Sequence, residues 1–491
     1  MSEDNSASIP ELVARARKAQ AEWAELPIGE RAARLRALGP NALSRAQELA
    51  RTIHDETGKP EIEALLAEVL SIADLVDYWT EQIESLLEPA TVELDPLTFP
   101  GKSGRIERVP RGVVALITPW NYPVVIPIRH IIPALLSGNA VVFKPSEVTP
   151  EAGNLVASLF QKIIPDNLLS VVQGGADVGQ AIIDAGVDTV SFTGGVSSGR
   201  KVAVACAKRL IPCSLELGGN DAAIVLADAR IERTAQGIVW GAFTNAGQNC
   251  ASIERVYVVR SIADKLIERI VAITKTLRAE HDFGPVTTQA QCDIAAKQLA
   301  SAVDKGAEVL TGGPPEPDTR FFSPTVVRVS DESIELLRDE TFGPILPIVV
   351  VEDENQAIER ANDSPYGLTA SIWTRRVRKG QALARRMRAG VITINNHGFT
   401  AALPMAPWSG LGQSGHGVTN GPFALDSYTR PRFILTDRRG AARELWWYPY
   451  NDTLQRLALQ MARMRGGAGF FGRIAAFFAL LVLLPKRLFG K

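Results

Sequence analysis

A cysteine and a glutamate whose types and spacing could support covalent catalysis lie 34 positions apart near the middle of the chain. Cys250 stands in the segment GQNCAS, and Glu216 stands in the segment ELGGN. A cysteine thiolate is a strong nucleophile. The leucines beside Glu216 predict a partly buried carboxyl whose raised pKa suits a general base. Gly247 could let the chain bend so that Cys250 points into a cleft. The alternative for Cys250 is a small apolar core residue.

A side-chain amide donor follows a predicted strand in the segment TPWNYP, which runs from Thr118 to Pro123. The apolar run 113–117 predicts the strand, and the two prolines restrict the turn after it. Asn121, which follows Trp120, therefore offers an N–H donor at the carboxyl end of a strand. The alternative is an ordinary Asx-Pro turn.

A lysine and a glutamate at the end of the next predicted strand could hold a sugar. Lys144 and Glu147 lie three positions apart in the segment FKPSE. The ammonium group can donate to ribose hydroxyls and the carboxylate can accept from them. The alternative is a solvated loop with an ordinary pair of charges.

Glycines in the segment SFTGGVSSGR indicate an anion-binding turn between a strand and a helix. Gly194 and Gly195 would let backbone N–H groups approach an anion at the helix N-terminus, and Gly199 lies in the same segment. The spacing GxGxxG is absent here, so an ordinary Rossmann fingerprint is not indicated, and a plain strand–helix turn is the alternative. Residues 410–415 match GxGxxG, but they follow PWS and precede no helical pattern, so we reject them.

The predicted secondary structure around these residues changes near residue 111, from helices and an extended arm to alternating strands and helices. Apolar residues at three- to four-residue spacing predict helices over 10–87, and 88–110 predicts an extended arm. From 111 onward, strand–helix alternation predicts parallel sheets, which place ligands at the carboxyl ends of their strands. The predicted strands are 113–117, 140–143, 168–172, 189–192, 222–226, 307–310, 348–351, 370–372 and 391–394.

Short motifs in a fixed order give the chain a resemblance to a known family. TPWNYP, KPSE, FTGG, ELGG, GQNC, ETFGP and PWSGxxxSGxG follow one another along the sequence. Over about residues 10–435 the chain resembles the NAD(P)-dependent aldehyde dehydrogenase superfamily. The resemblance implies an α/β fold with a parallel-sheet cofactor domain, an α/β catalytic domain and a small oligomerisation arm.

On this resemblance we predict four parts of the chain. Residues 1–87 and 111–217 form the NAD-binding domain, and 218–417 form the catalytic domain. Residues 88–110 and 418–440 form the oligomerisation arm of a homodimer or homotetramer. Residues 441–491 form a separate C-terminal tail.

The resemblance also implies a reaction. Cys250 attacks the aldehyde carbonyl, and Asn121 and the backbone N–H of Cys250 form the oxyanion hole. Hydride passes to the nicotinamide and leaves a thioester, for whose hydrolysis Glu216 activates water. Because the CoA-acylating branch of the superfamily does not use such a glutamate, Glu216 favours hydrolysis to a free acid.

The same resemblance implies a set of NAD-binding residues. Lys144 and Glu147 bind the adenosine ribose, Gly195 lies by the pyrophosphate, Glu340 binds the nicotinamide ribose, and Phe342 contacts the nicotinamide end. The remaining cofactor-binding predictions are Thr118, Trp120, Gly194, Gly199 and Leu217. Glu147 favours NAD because its carboxylate would repel the 2′-phosphate of NADP, although NADP stays an alternative.

Composition and charge exclude several other classes. Hydrophobic residues make up 46% of the chain and charged residues 22%, which is typical of a folded globular protein. The 53 basic and 54 acidic residues nearly cancel, so we expect no nucleic-acid partner. The four cysteines form no CxxC pair and the five histidines are scattered, which predicts a reducing compartment and no bound metal. The polar N-terminus predicts no secretory signal.

The tail from residue 453 is apolar and basic, with seven cations and no acidic residue. Its uncharged run 474–485 has 12 residues. As a helix it would be about 18 Å long, shorter than the ~30 Å core of a bilayer. We therefore predict that residues 453–491 associate with a membrane at its cytoplasmic side through an interfacial or half-inserted helix, with arginine and lysine at anionic lipid headgroups. The alternative is a helix packed on the body or on a partner subunit.

This tail is similar to the anchor of membrane-bound fatty aldehyde dehydrogenases, although residues 10–87 are longer than the corresponding region of that subgroup. The predicted function is NAD-dependent oxidation of a lipophilic, medium- or long-chain aldehyde to a carboxylic acid at a membrane. One alternative is a soluble-type dehydrogenase of small polar aldehydes or semialdehydes, with the tail used for oligomer contacts. The other is a catalytically silent scaffold.

Overall fold

The computed structural model describes residues 8–95, 98–99, 101–315, 319–331, 333–438, 444–467 and 469–489. The chain forms two compact units. The first contains residues 1–88 and 108–431, and the second contains residues 89–107 and 432–491.

The elements of the described residues are numbered here along the chain. The α-helices are α1 (Ile9–Ala24), α2 (Ile28–Leu35), α3 (Leu38–Ser44), α4 (Ala46–Thr57), α5 (Glu61–Ala64), α6 (Leu70–Leu86), α7 (Val125–Leu136), α8 (Pro150–Phe160), α9 (Ala176–Asp184), α10 (Val196–Arg209), α11 (Ile231–Phe243), α12 (Arg260–Thr274), α13 (Gln289–Asp304), α14 (Glu354–Asn362), α15 (Val377–Ala384), α16 (Leu425–Tyr428), α17 (Asp452–Ala462) and α18 (Phe470–Phe489). The strands are β1 (Ala90–Val92), β2 (Lys102–Pro110), β3 (Val113–Ile117), β4 (Ala140–Lys144), β5 (Leu169–Val171), β6 (Thr189–Thr193), β7 (Cys213–Glu216), β8 (Asp221–Val225), β9 (Ile253–Val259), β10 (Glu308–Thr311), β11 (Thr325–Val329), β12 (Ile345–Val351), β13 (Thr369–Trp373), β14 (Val391–Ile394), β15 (Trp408–Ser409), β16 (Gly415–His416), β17 (Val418–Thr419) and β18 (Thr429–Asp437).

The N-terminal helices end and begin where the local chemistry requires it. Gly58 closes α4 in the left-handed conformation, with a φ of 77°, which a glycine adopts without steric cost. Pro60 immediately precedes α5, so it removes no hydrogen bond from the helix interior. A π-helical turn over Leu65–Val69 joins α5 to α6, and the side chain of Glu68 is fully buried within it. Such turns are frequent at functional sites.

The first sheet has the strand order β16-β7-β6-β3-β4-β5. Its neighbouring strands are parallel except β16, whose Gly415 lies opposite Glu216 in an antiparallel pair. Every residue of β3, β4 and β6 is buried, which is typical of a parallel sheet covered by helices on both faces. Because parallel strands end at one edge, the segments that start at Thr118, Pro145 and Gly194 lie on the same side of this sheet.

The second sheet has the order β10-β11-β12-β9-β8-β13-β14. Only its edge pair β10–β11 is antiparallel among the described strands. Strands β8, β9 and β13 are buried along their whole length. Strand β9 begins three residues after Cys250, so the sheet anchors the loop that carries this cysteine.

The predicted α/β fold with parallel sheets is confirmed, and each of the predicted strands coincides with a strand of the structure to within a few residues. Strand β9 escapes prediction because Glu254 and Arg255 interrupt its apolar run. Both side chains are buried, since Glu254 accepts hydrogen bonds from the backbone and Arg255 Nε donates to Asn220 O at 2.9 Å. Strands β7 and β11 are likewise absent from the prediction. The predicted domain boundaries stay predictions.

The second unit contains the tail helices. Helices α17 and α18 pack together, with Leu457 of the first and Ala476 and Leu480 of the second buried. Arg487 is also buried, and its guanidinium donates to the backbone oxygens of Leu445 at 3.1 Å and Pro449 at 3.0 Å, and to that of Trp447. The basic end of α18 is therefore bonded within its own unit.

The prediction that this tail holds the chain at the cytoplasmic side of a membrane is wrong. Among the residues that the structure describes, no helix is long and apolar enough to cross a bilayer. Arg487, one of the cations expected at lipid headgroups, has its guanidinium taken up by backbone carbonyl oxygens instead.

Candidate active site

Two of the three predicted catalytic residues, Cys250 and Glu216, line a cavity of about 560 Å³ in the first unit, and the third, Asn121, is not among its lining residues. Its polar lining residues include Glu63, Arg129, Thr193, Glu216, Gln236, Thr244, Asn249, Cys250, His281 and Asp282. Its apolar lining residues include Ile62, Leu66, Tyr122, Val125, Ile126, Val239, Trp240, Phe243, Ile273, Leu277, Ala401 and Trp408. A largely apolar cavity with a few convergent polar groups is the usual form of a small-molecule site.

A sharp bend presents Cys250 to this cavity. Asn245, Ala246 and Gly247 have positive φ values of 53°, 54° and 73°. A Cβ at Gly247 would lie 2.2 Å from the carbonyl oxygen of Gly343, so no other residue fits there. The structure therefore agrees with the predicted bend at Gly247, and Cys250 is half-buried at its end.

Burial controls the charge state of the Cys250 thiol. Desolvation raises the pKa of this thiol well above its usual value, and the nearby carboxylates of Glu216, Glu340 and Asp221 raise it further. The guanidinium of Arg129 acts in the opposite direction. In this state the thiol holds its proton, so its reactivity depends on added positive charge or on a proton acceptor.

Glu216 lies at the end of β7, where the first sheet meets the cavity. Its Oε1 accepts a short hydrogen bond from the hydroxyl of Thr419, which follows β16 along the chain. Burial raises the pKa of the Glu216 carboxyl, while Thr419 and Arg129 lower it in part. Glu216 is buried, more fully than the partial burial that the flanking leucines predict, and its raised pKa suits a general base.

Asn121 is buried beside the cysteine loop. Its Nδ2 donates to the backbone oxygen of Gln248 at 3.1 Å, two residues before Cys250. The Asn121 amide is thereby tied to the loop that carries the cysteine. Its Oδ1 is buried without a hydrogen-bond partner among the described residues.

Lys144 and Glu147 are neighbours but differ in environment. The Lys144 ammonium is buried and donates to the backbone oxygens of Gly174 at 2.6 Å and Pro145 at 2.8 Å, and to Glu147 Oε2 at 3.4 Å. The side chain of Glu147 is 61% exposed, so it can accept from a ligand in solution. The Thr118 hydroxyl at the end of β3 is buried without a partner.

The glycine turn after β6 leaves an open cradle. Gly195 precedes the first residue of α10, and no atom lies within 4 Å of a Cβ built on it. Gly199 instead packs tightly, because a Cβ there would meet Leu217 at 2.4 Å. Backbone N–H groups at a helix N-terminus with open space before them fit a phosphate-bearing group.

Glu340 and Phe342 lie against the two central motifs. Glu340 Oε1 accepts from the backbone N–H of Gly219 at 3.0 Å, and a Cβ on Gly219 would lie 2.2 Å from the carbonyl oxygen of Cys250. Phe342 has a φ of 49° and its ring meets Trp120 edge-to-face, with centroids 5.6 Å apart. Glu340 is therefore joined through Gly219 to the backbone at Cys250, and Phe342 contacts Trp120.

Several residues of the site have no signal in the sequence. Glu254 accepts from the backbone N–H groups of Thr341 and Phe342, each at 2.8 Å, and so holds the turn that carries Glu340. Arg129 lines the cavity from the middle of α7, a helix whose residues are all buried. Partners more than 80 residues away decide both roles, and no local spacing could reveal them.

Comparison with known proteins places these features in a family. The model of the aldehyde dehydrogenase family matches residues 1–434. A 4,4'-diapolycopene aldehyde oxidase from Methylomonas sp is 37% identical over 91% of this chain and 84% of its own length. A putative succinate-semialdehyde dehydrogenase [NADP(+)] 2 from Mycobacterium ulcerans is 36% identical over 87% of this chain and 83% of its own.

Solved structures give the same result. Betaine aldehyde dehydrogenase from Staphylococcus aureus, in complex with NAD+, superposes with a TM-score of 0.84 at 29% identity, over 90% of this chain and 89% of that one. The family match ends at residue 434, so the tail helices α17 and α18 lie beyond it. The predicted membrane lipid partner receives no support from these comparisons.

Proposed function

We propose, for a chain that belongs to the aldehyde dehydrogenase family, that Cys250 and Glu216 oxidise an aldehyde to a carboxylic acid through a thioester. The chain is an aldehyde-oxidising oxidoreductase that uses NAD(P). The observation that carries the residue roles is the convergence of Cys250 and Glu216 on one cavity.

In the first step the Cys250 thiol releases its proton to water, Sγ forms a bond to the aldehyde carbon, and the carbonyl π electrons move to oxygen. The second Nδ2 hydrogen of Asn121 and the backbone N–H of Cys250 would stabilise that oxyanion. When bound, NAD(P)+ supplies the acceptor for the aldehyde hydrogen as hydride.

Lys144, Glu147, the open turn at Gly195 and Glu340 would hold the cofactor. Glu147 and Glu340 offer acceptors, and the turn at Gly195 offers backbone N–H donors. The three Lys144 donors already bind Gly174, Pro145 and Glu147, so Lys144 would exchange its 3.4 Å bond to Glu147 for a ribose hydroxyl. We expect Glu147 to favour NAD, because an exposed carboxylate next to the ribose would repel a 2′-phosphate.

The second step hydrolyses the thioester on Cys250. Glu216 takes a proton from water, the resulting hydroxide attacks the acyl carbon, and the thiolate leaves. The raised pKa of Glu216 makes it a stronger base than a solvated carboxylate.

Two variants test these roles. Cys250→Ala should abolish NADH formation, because no thioester can form. Glu216→Gln should keep a single burst of NADH equal to the enzyme concentration and lose steady turnover. Rapid-mixing absorbance measures both. Steady turnover by Glu216→Gln would exclude this residue as the base, and turnover by Cys250→Ala would exclude the thiol mechanism.

For the substrate, we propose a small polar aldehyde or semialdehyde with an anionic end. Arg129 supports this class, because its guanidinium lies in the cavity and its buried Nε has no partner. Its Nη2 donates to Ala401 O at 2.8 Å, which fixes the group in place. The relative from Mycobacterium ulcerans is named for a semialdehyde.

An apolar aldehyde is the second candidate. Ile62, Leu66 and Trp240 line the cavity and remain more than half exposed, so an apolar body could contact them. The relative from Methylomonas sp is named for 4,4'-diapolycopene aldehyde. This candidate involves no membrane.

A matched pair of substrates separates the two classes. Semialdehydes with a terminal carboxylate should have a lower KM than methyl-terminated aldehydes of equal length. Arg129→Met should remove that preference, about ten-fold or more, because a buried charge-assisted hydrogen bond is lost. A preference for the methyl-terminated series that Arg129→Met leaves unchanged would favour the apolar class.

A further inference from the structure

We propose that Lys59 and Glu68, a buried ion pair outside the cavity, are positioning residues that set the Asn121 amide for oxyanion binding. The inference rests on the proposed function of Asn121. Lys59 and Glu68 are distant from Asn121 in the sequence, but both form hydrogen bonds with the backbone of the segment 121–125.

The pair is completely removed from solvent. Lys59 Nζ lies 2.5 Å from Glu68 Oε1, and both side chains have 0% exposure. Lys59 comes from the turn between α4 and α5, and Glu68 from the π-helical turn before α6. The π-helical turn is where Glu68 enters the interior of the unit.

Both members bind the backbone of the segment that carries Asn121. Lys59 Nζ donates to the Asn121 carbonyl oxygen at 2.8 Å, and it lies 4.0 Å from the centre of the Tyr122 ring. Glu68 Oε2 accepts from the backbone N–H groups of Val124 at 2.9 Å and Val125 at 3.3 Å. The pair thus holds both ends of the segment 121–125.

A second set of bonds fixes this segment to the cysteine loop. Asn245 Nδ2 donates to the Asn121 carbonyl oxygen at 2.9 Å and to Gln248 O at 3.1 Å. Asn121 Nδ2 donates to the same Gln248 oxygen. The Asn121 carbonyl therefore accepts from Lys59 on one side and from the cysteine loop on the other, which leaves its side chain little freedom.

The chemistry of the pair favours a geometric role. Burying two charges has a large desolvation penalty, and apolar replacements of buried ion pairs are often equally stable. The hydrogen bonds from this pair to the Asn121 carbonyl and to the N–H groups of Val124 and Val125 involve charged groups, so they fix the orientation of the backbone as well as stabilise it. An oxyanion donor must sit within about 3 Å of the developing charge, so a small shift of the loop would reduce its effect.

The test compares two reactions of the Cys250 thiol. Acylation by p-nitrophenyl acetate forms an oxyanion, whereas alkylation by iodoacetamide does not. In Lys59→Met/Glu68→Gln, which removes both charges, acylation should fall ten- to a hundred-fold and alkylation should stay within two-fold. Lys59→Arg should recover part of the acylation rate, because it restores a donor and the charge pair.

A cycle with Asn121→Ala shows whether the pair acts through that residue. The triple variant Lys59→Met/Glu68→Gln/Asn121→Ala should acylate no more slowly than Asn121→Ala alone. Multiplying effects, or equal losses in acylation and alkylation, would overturn the proposal. Leu49→Ala, in the core of α4, is the control for destabilisation and should leave the ratio of the two rates unchanged.

The outcomes also separate this inference from the proposed function. If Asn121→Ala acylates normally, the oxyanion role of Asn121 fails, and the inference fails with it. If Asn121→Ala is slow and Lys59→Met/Glu68→Gln is normal, only the inference fails. If the double variant does not fold, Lys59→Arg is the deciding variant. A normal melting temperature with slower acylation and unchanged alkylation would support the proposal. An unchanged ratio of the acylation rate to the alkylation rate would overturn it.

Discussion

At the scale of single residues, burial governs the chemistry of the site. The Cys250 thiol and the Glu216 carboxyl both have raised pKa values, because the surrounding protein desolvates their charged forms. For the thiol this favours the unreactive protonated form, and for the carboxyl it increases basicity. The thiol can act as a nucleophile only if another group helps it to lose its proton. The positive charge of Arg129 lowers the pKa of the Cys250 thiol and so favours that loss.

The pH dependence of turnover should report Glu216. A base is active only when deprotonated, so kcat should decline as pH falls through the raised pKa of this carboxyl. The decline should begin at a higher pH than for a solvated glutamate, whose pKa is 4.5. Steady-state rates from pH 4 to 9 measure it. In Asp282→Asn, which alters another carboxyl of the cavity, the acid limb should persist, and its loss there would assign the limb to Asp282.

Glu254 should matter for cofactor binding more than for the reacting atoms. Glu254→Gln would keep one acceptor but lose the charge that binds two backbone N–H groups of the turn carrying Glu340 and Phe342. We expect the KM for NAD to rise about ten-fold, with a smaller effect on kcat. Initial rates with varied NAD test this. Glu232→Gln, at an exposed ion pair with Arg269, is the control. A fall in kcat alone would contradict a role in the cofactor site.

At the scale of elements, the bend before Cys250 shows how backbone conformation and packing act together. Glycines at 247 and 306 both have positive φ values, 73° and 87°, so both tolerate substitution poorly. Only Gly247 is also crowded, because a Cβ there would lie 2.2 Å from Gly343 O, whereas no atom lies within 4 Å at Gly306. The two positions therefore separate conformational strain from steric exclusion.

Gly247→Ala should lower kcat by more than its loss of folding stability can explain. The clash with the Gly343 carbonyl must shift either the cysteine loop or the turn at residues 340–343, so we expect kcat to fall at least a hundred-fold. Gly306→Ala should destabilise the fold by about 1 kcal/mol of strain and keep its kcat. Thermal melting and steady-state kinetics of both variants check this. Equal kcat in the two variants would show that the crowding is relieved without moving the site.

At the scale of the whole molecule, the exposed apolar side chains of the tail bear on the oligomeric state. Helix α18 exposes large aromatic side chains, with Phe470 73% and Phe471 84% exposed and Phe477 and Phe478 about half exposed or more. Contiguous exposed apolar surface usually marks an interaction site. The sequence predicts a homodimer or homotetramer with residues 88–110 and 418–440 as its oligomerisation arm, and only the alternative function uses the tail for oligomer contacts. The exposed phenylalanines of α18 favour that alternative, which stays a prediction.

Light scattering on the purified chain would test that prediction. We expect a dimer or tetramer, and Phe471→Ser/Phe478→Ser should shift the mass toward smaller species while kcat per active site is kept. Ile294→Ser, at another exposed apolar residue, is the matched control and should not change the mass. An unchanged assembly in the phenylalanine variant would exclude α18 as the contact.

The sequence alone is enough to give the α/β class of fold, and it predicts Cys250 as the nucleophile. Runs of apolar residues mark the buried parallel strands, since such strands are covered on both faces, and strand ends then place Asn121, Lys144 and Gly195 at one edge. The order of motifs around Glu216 and Cys250 indicates the chemistry. These are local patterns of hydrophobicity and residue type, which a chain carries whether or not it is folded.

Which distant groups form hydrogen bonds with the site residues follows only from the tertiary structure. Lys59 meets Asn121 across 62 positions, Thr419 meets Glu216 across 203, and Glu254 binds the turn at Thr341 across 87. It also decided that Arg487 is bonded to backbone carbonyls within its own unit, where the composition of the tail predicts lipid contacts. The physical reason is that burial and hydrogen-bond partners depend on chain crossings, and neither spacing nor composition specifies which segments meet.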